Sequence, residues 1–138
     1  MIGNDFVKFF LHTPLYLFLG DTMLITVTGC KTGKKYTTPV GFYREGDTMW
    51  IISSRERTWW RNVRNGAEVE MRIRGKDVKG FAEAILEEDA VANQIGDYVE
   101  HIPMAAKSLR VHMQNGEPDP EDTARLAKER MFVRISLN

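Results

Sequence analysis

Residues 68–86 read EVEMRIRGKDVKGFAEAIL, and their alternation decides the fold. Val69, Met71 and Ile73 fall on one face of an extended chain and Glu68, Glu70, Arg72 and Arg74 on the other, which predicts a half-buried antiparallel strand. Gly75-Lys76 turns it into a further strand over about Val78 to Leu86. Gly80, Ala82 and Ala84 give that strand a face of small residues, which permits close approach by a neighbouring element or a ring. Working upstream, strands are predicted at Thr48 to Ser53, at about Tyr36 to Arg44 and at about Met23 to Thr28, with Glu45-Gly46-Asp47 as a hairpin signal. Met49, Trp50, Ile51 and Ile52 stand in a row, so that strand is expected to be buried on both faces. Downstream, Met131, Val133, Ile135 and Leu137 alternate with Phe132, Arg134 and Ser136 as a last strand.

Helical signals lie between these strands. Residues 4–18 read as a helical start. Thr58 as cap and Gly66 as stop predict a short helix over TWWRNVRN. Val91, Ile95, Tyr98 and Ile102 fall at helical spacing up to Pro103, and a further short helix is expected over Met104 to Met113. Asn115 to Asp119 reads as loop, with Asp119 capping a helix that opens on Pro120, Glu121 and Asp122. Six strands joined mostly by hairpins, with helices at the periphery, predict one α+β domain over residues 1–138, built on a six-stranded antiparallel barrel.

Formal charge is zero, but residues 1–80 hold 13 Lys/Arg against 8 Asp/Glu, and residues 81–138 hold 6 against 11. This asymmetry favours an anionic ligand on one side of the molecule over nucleic acid, which calls for a basic total. The single cysteine, Cys30, suits a reducing cytoplasm. The apolar stretch from Phe6 to Leu19 is interrupted by Lys8, His12 and Pro14 and is read as an amphipathic segment packed on the domain, with loose membrane contact as the alternative. His12, His101 and His112 lack metal-ligand spacing.

Two basic clusters remain. Residues 26–39, TVTGCKTGKKYTTP, pack three lysines into a glycine-bounded turn. The pattern fails as a nucleotide P-loop, because only Cys30, Lys31 and Thr32 separate Gly29 from Gly33 and a strand follows. A glycine turn can still bind an anion through its N–H groups, or its lysines can simply be solvated. Residues 53–65, SSRERTWWRNVRN, set Arg55 and Arg57 before the start of the short helix, a second arrangement suited to an anion, with Trp59 and Trp60 as flat apolar surface or as core. Together the clusters suggest a planar, phosphate-bearing ligand such as a redox cofactor; a nucleic-acid strand is the alternative that the charge balance disfavours.

TGCKTGKKYTTPVGFYREGD (28–47) followed by WWRNVRNGAEVEMRIRGK (59–76) resembles the deazaflavin-dependent nitroreductase family. The resemblance implies a split β-barrel related to FMN-binding pyridoxamine-phosphate oxidases and binding of coenzyme F(420), an 8-hydroxy-5-deazaflavin with a phosphate-linked oligoglutamate tail. It also implies that Lys31, Thr32 and Gly33 form the phosphate turn, that Thr37, Thr38 and Pro39 lie beside the ring, and that Ser54, Arg55, Trp59 and Asn62 belong to the site. Cys30 and Tyr36 depart from arginines of the pattern and leave room for FMN or FAD, with Lys34, Lys35 and Arg57 as compensating cations. The implied activity is hydride transfer from reduced F(420) to a small electron-poor molecule, a quinone, nitro compound or activated alkene. Tyr43 and Tyr98 are candidates for the substrate side. The alternative is a barrel that binds FMN, FAD or haem without turnover, and fold analogy suggests a homodimer.

Overall fold

The computed structural model describes residues 21–138. The predicted N-terminal helix and its membrane contact lie outside the described residues. Strands β1 (Asp21–Thr28), β2 (Lys35–Glu45), β3 (Thr48–Ser54), β4 (Ala67–Ile73), β5 (Lys76–Ile85) and β8 (Arg130–Leu137) close a barrel in the order β1-β2-β3-β8-β5-β4, with β4 returning to β1. Every pairing is antiparallel.

The seam between β1 and β4 is short. It pairs only Leu24 with Arg72, Ile25 with Met71 and Thr26 with Glu70, whereas β1 pairs with β2 along its whole length. Beyond Thr26 the two strands no longer pair, and a depression lined by Thr26, Thr28, Glu68 and Glu70 lies between them. A 3-10 helix, Trp59–Val63, inserts Trp59, Trp60 and Val63 into the barrel core beside Val27, Val69 and Met71. Burying two indoles removes a large apolar area from water, so this plug contributes to the core.

The outward faces of β2, β3 and β8 are covered by α1 (Glu88–His101), α2 (Pro103–Ser108) and α3 (Pro120–Glu129). Val91, Ile95, Tyr98 and Leu126 pack there on Tyr43, Ile52 and Phe132. Strand β3 is buried on both faces as expected: Met49 and Ile51 enter the barrel, while Ile52 meets the helices. At Gly80 the small face of β5 admits the neighbouring strand β8. A Cβ on Gly80 would lie 2.7 Å from Ile135 Cγ2 and 2.8 Å from the Ser136 carbonyl.

Three expectations are corrected. The helix over residues 58–65 is only the five-residue 3-10 helix, and Thr58 makes no side-chain cap. The helix expected over Met104 to Met113 runs from Pro103 to Ser108. The loop at Asn115 to Asp119 contains part of a two-stranded ribbon, β6 (Met113–Gln114) and β7 (Glu117–Pro118). Its turn is Asn115-Gly116, with φ of 55° and 79°, the positive-φ pair that a two-residue hairpin requires.

Candidate functional site

The lysine turn is a compact loop. The Gly29 N–H donates to the Lys34 carbonyl at 2.6 Å, and the Gly33 N–H donates to the Gly29 carbonyl at 2.8 Å. Gly33 takes φ +72°, which favours glycine. A Cβ on Gly29 would lie 2.8 Å from both the Tyr36 ring and Thr32 Oγ1, so glycine lets the ring fold over the turn. The Tyr36 hydroxyl shares a 3.3 Å hydrogen bond with Thr32 Oγ1, which also accepts the Lys34 N–H at 3.2 Å. Lys31 and Lys34 remain exposed.

Asn62 joins this turn to the 3-10 helix. Its Oδ1 accepts the Cys30 N–H at 3.1 Å, and its Nδ2 donates to the Trp59 carbonyl at 3.1 Å. Between the two elements runs a groove of about 440 Å³, lined by Gly29, Cys30, Lys31, Thr32, Tyr36, Thr58, Trp59, Arg61 and Asn62. That volume lies in the range of small-molecule sites. The lining offers two cations, several hydroxyls and an indole, and contains no carboxylate. Such a donor set fits an anionic ligand that also carries an apolar ring.

Of the residues singled out in the sequence, Lys31, Thr32, Trp59 and Asn62 meet in this groove, while Gly33 and Lys34 shape its turn. The others lie elsewhere. Thr37 faces outward and shares a 2.8 Å hydrogen bond with Thr26. Thr38 Oγ1 is buried without a hydrogen-bond partner among the described residues, and Pro39 is buried opposite Leu24. Ser54 builds a turn, accepting the Arg57 N–H at its carbonyl (3.2 Å) and the Glu56 N–H at Oγ (3.3 Å).

Arg55 does not face an anion beside a helix start. Its Nη2 donates to the carbonyls of Leu86 at 2.6 Å and Ala127 at 2.8 Å, and its Nε reaches Ala127 at 3.2 Å. The guanidinium therefore ties β3 to the last turn of α3, where a cation also complements the helix dipole. Arg57 is half-buried and engaged within the chain. Lys35 pairs with Glu70 at 3.5 Å on the outer barrel face, away from the groove lining.

Arg61, Tyr36, Cys30 and Thr58 line the groove without having been assigned to a site from sequence. None of them carried a local signal, because the 3-10 turn that sets Arg61 three positions after Thr58 shows only in the fold. Tyr43 and Tyr98 do not line the groove; both sit in the cluster between barrel and helices. Burial pushes the Tyr98 phenol up to about 12 and raises Tyr43 above its ordinary range, while the Tyr43 hydroxyl accepts from Gln94 Nε2. His112 is engaged with Asp122, whose Oδ2 accepts from both its backbone N–H and its ring at 2.8 Å. Arg125 holds the other carboxylate oxygen at 3.1 Å. The backbone bond from His112, followed by that from its ring, lowers the Asp122 pKa, and together these contacts anchor the first turn of α3.

The described barrel is similar to several solved structures. A protein of unknown function from Agrobacterium tumefaciens superposes with a TM-score of 0.57 at 18% identity, over 84% of this chain and 48% of that one, so the chain spans about half of its length. The haem storage protein HutZ from Vibrio cholerae gives a TM-score of 0.55 at 11% identity, over 99% of this chain and 89% of its own. A structure described as an F(420) reductase gives 0.52 at 12% identity, over 91% and 96%. At these identities the likeness concerns the fold, a split barrel. No curated protein matches the sequence at a significant level. The sequence model of the F(420)H(2)-dependent quinone reductases, by contrast, matches residues 13–115, most of the chain and the whole of the groove. The chain thus belongs to the F(420)H(2)-dependent quinone reductase family.

Proposed function

We propose that this protein binds reduced coenzyme F(420) in the groove between the lysine turn and the 3-10 helix and passes its hydride to a small electron-poor acceptor, a quinone, nitro compound or activated alkene. The observation that carries the reading is the Asn62 joint, which brings Lys31 and Trp59 to one groove free of carboxylates. When bound, the deazaflavin supplies the hydride chemistry. The chain's own residues bind and orient. Lys31 and Thr32 are suited to the phosphate, Trp59 offers apolar surface to the adjoining part of the cofactor, and Asn62 holds the two walls in register. Lys31 also biases the site toward negative charge, which favours an anionic ligand over a neutral one. A cytoplasmic setting and a homodimer complete the proposal.

Cofactor binding without turnover is a second reading. It draws on the placement of Tyr43 and Tyr98, the candidates for the substrate side, away from the groove lining. A fluorescence titration of the purified protein with F(420), FMN and FAD, at low and moderate salt, tests the cofactor. Preferential saturable binding of F(420) is expected, and binding of none of the three would refute the proposal. An anaerobic single-turnover experiment, with the reduced deazaflavin and a benzoquinone, then separates the readings. Oxidation faster than the protein-free control favours the reductase, and equality with that control favours binding alone.

A further inference from the structure

We propose that Arg61 is a ligand-binding residue that works with Lys31 from the other wall of the groove, so that the ligand's anionic portion is gripped between the lysine turn and the 3-10 helix. The inference rests on the cofactor reading above and assigns its second cation. Lys31 and Arg61 are the charged residues of the groove lining, and each comes from a different wall. Neither forms an ion pair among the described residues, whereas Lys35 is committed to Glu70 and Arg55 to the carbonyls of Leu86 and Ala127. Local geometry turns Arg61 toward the groove: it follows Thr58 by three positions, and Thr58 also lines the groove.

Its guanidinium is partly ordered by a neighbouring ring, which is not itself part of the groove lining. The central carbon lies 5.8 Å from the Trp60 ring centre, within cation–π range. An arginine held against a ring loses less freedom when it meets an anion than one moving freely in water. Arg64 supplies an internal control. It lies 5.5 Å from the same ring and carries the same charge, but it is not among the groove lining. Two opposed cations select a ligand with more than one negative charge, which a phosphate-linked oligocarboxylate tail provides and a bare ring system does not.

The test is a fluorescence titration of native, Arg61→Gln, Arg61→Lys and Arg64→Gln proteins with F(420) and with 8-hydroxy-5-deazaflavin lacking the phosphate-linked tail. Thermal unfolding verifies that each variant is folded. For F(420), Arg61→Gln is expected to weaken binding by about 10-fold or more, the scale of one charge-assisted hydrogen bond, and to flatten the dependence on salt. Arg61→Lys should recover part of the loss, Arg64→Gln should stay within about twofold, and the tail-less compound should distinguish none of the variants. Equal affinity of Arg61→Gln and Arg64→Gln for F(420) would overturn the role of Arg61 while leaving the cofactor proposal standing. Failure of the native protein to bind F(420) would overturn that proposal and this one with it.

Discussion

Two concave surfaces of similar size lie on the barrel, and their chemistry differs. The groove between the lysine turn and the 3-10 helix encloses about 440 Å³. A depression on the outer face of β1, β4 and β5 encloses about 370 Å³ and is lined by Leu24, Thr26, Thr37, Glu70, Arg72 and Asp77, among others. In the depression Arg72 pairs with Asp77 at 3.3 Å and Glu70 with Lys35 at 3.5 Å, Thr26 and Thr37 share a hydrogen bond, and Lys79 is the one lining cation without an ion pair among the described residues. In the groove, Lys31 and Arg61 have no ion pair among the described residues. Volume therefore does not separate a binding site from a fold in the surface. Two uncompensated cations on walls held together by Asn62 favour the groove, because an anion gains most where it need not displace an existing partner.

The contrast can be broken at its strongest point. Lys31→Ala is expected to weaken F(420) binding by about 1.5–3 kcal/mol, roughly 10- to 150-fold, in a fluorescence titration. Arg72→Ala in the depression should change the same affinity by less than about twofold. Equal effects from both would erase the distinction. Arg55→Ala sharpens it differently, since this arginine serves the fold. Urea unfolding should reveal a loss of about 2 kcal/mol as the Leu86 and Ala127 carbonyls lose a charged donor, with cofactor affinity of the folded variant unchanged.

Asn62→Ala should cost about 1–2 kcal/mol of stability by leaving the Cys30 N–H and the Trp59 carbonyl without their side-chain partner, and it should weaken F(420) as the walls lose register. Retention of native affinity would mean that the groove does not need its joint. The smallest effect concerns Asp122, whose charge, unlike that of Lys31, is fully engaged. Its folded pKa is depressed below the ordinary 3.8, so its contribution is present above that value and fades as pH falls through the folded one. Urea midpoints recorded from pH 6 to pH 2 should therefore converge for the native protein and Asp122→Asn below about pH 4. A constant gap across that range would show that ionisation of Asp122 is not what stabilises the start of α3.

Much of the barrel was legible because its strands announce themselves locally. Val69, Met71 and Ile73 point inward and their neighbours outward for reasons fixed by backbone geometry alone, and Val91, Ile95 and Tyr98 announce α1 by the same logic. The 3-10 helix was less legible. Its five residues carry Trp59, Trp60 and Val63 into the barrel core, and so short an element has no local period to announce it. The ribbon around Asn115-Gly116 did carry a local signal, a dipeptide suited to two consecutive positive φ angles.

For the site, the sequence determined the chemistry of the parts: a glycine turn rich in lysine, a tryptophan pair, and a motif order that the family match bears out. Only the tertiary structure decided which parts meet. It turned Arg55 into a clamp on α3, set Thr37 on the outer face, and brought Asn62 to Cys30 across 32 positions of sequence. The physical reason is that a side chain's type and local direction follow from its own backbone, whereas its partner follows from barrel closure. The plug and the lysine turn come together at the end of β1 that lies beyond its short pairing with β4.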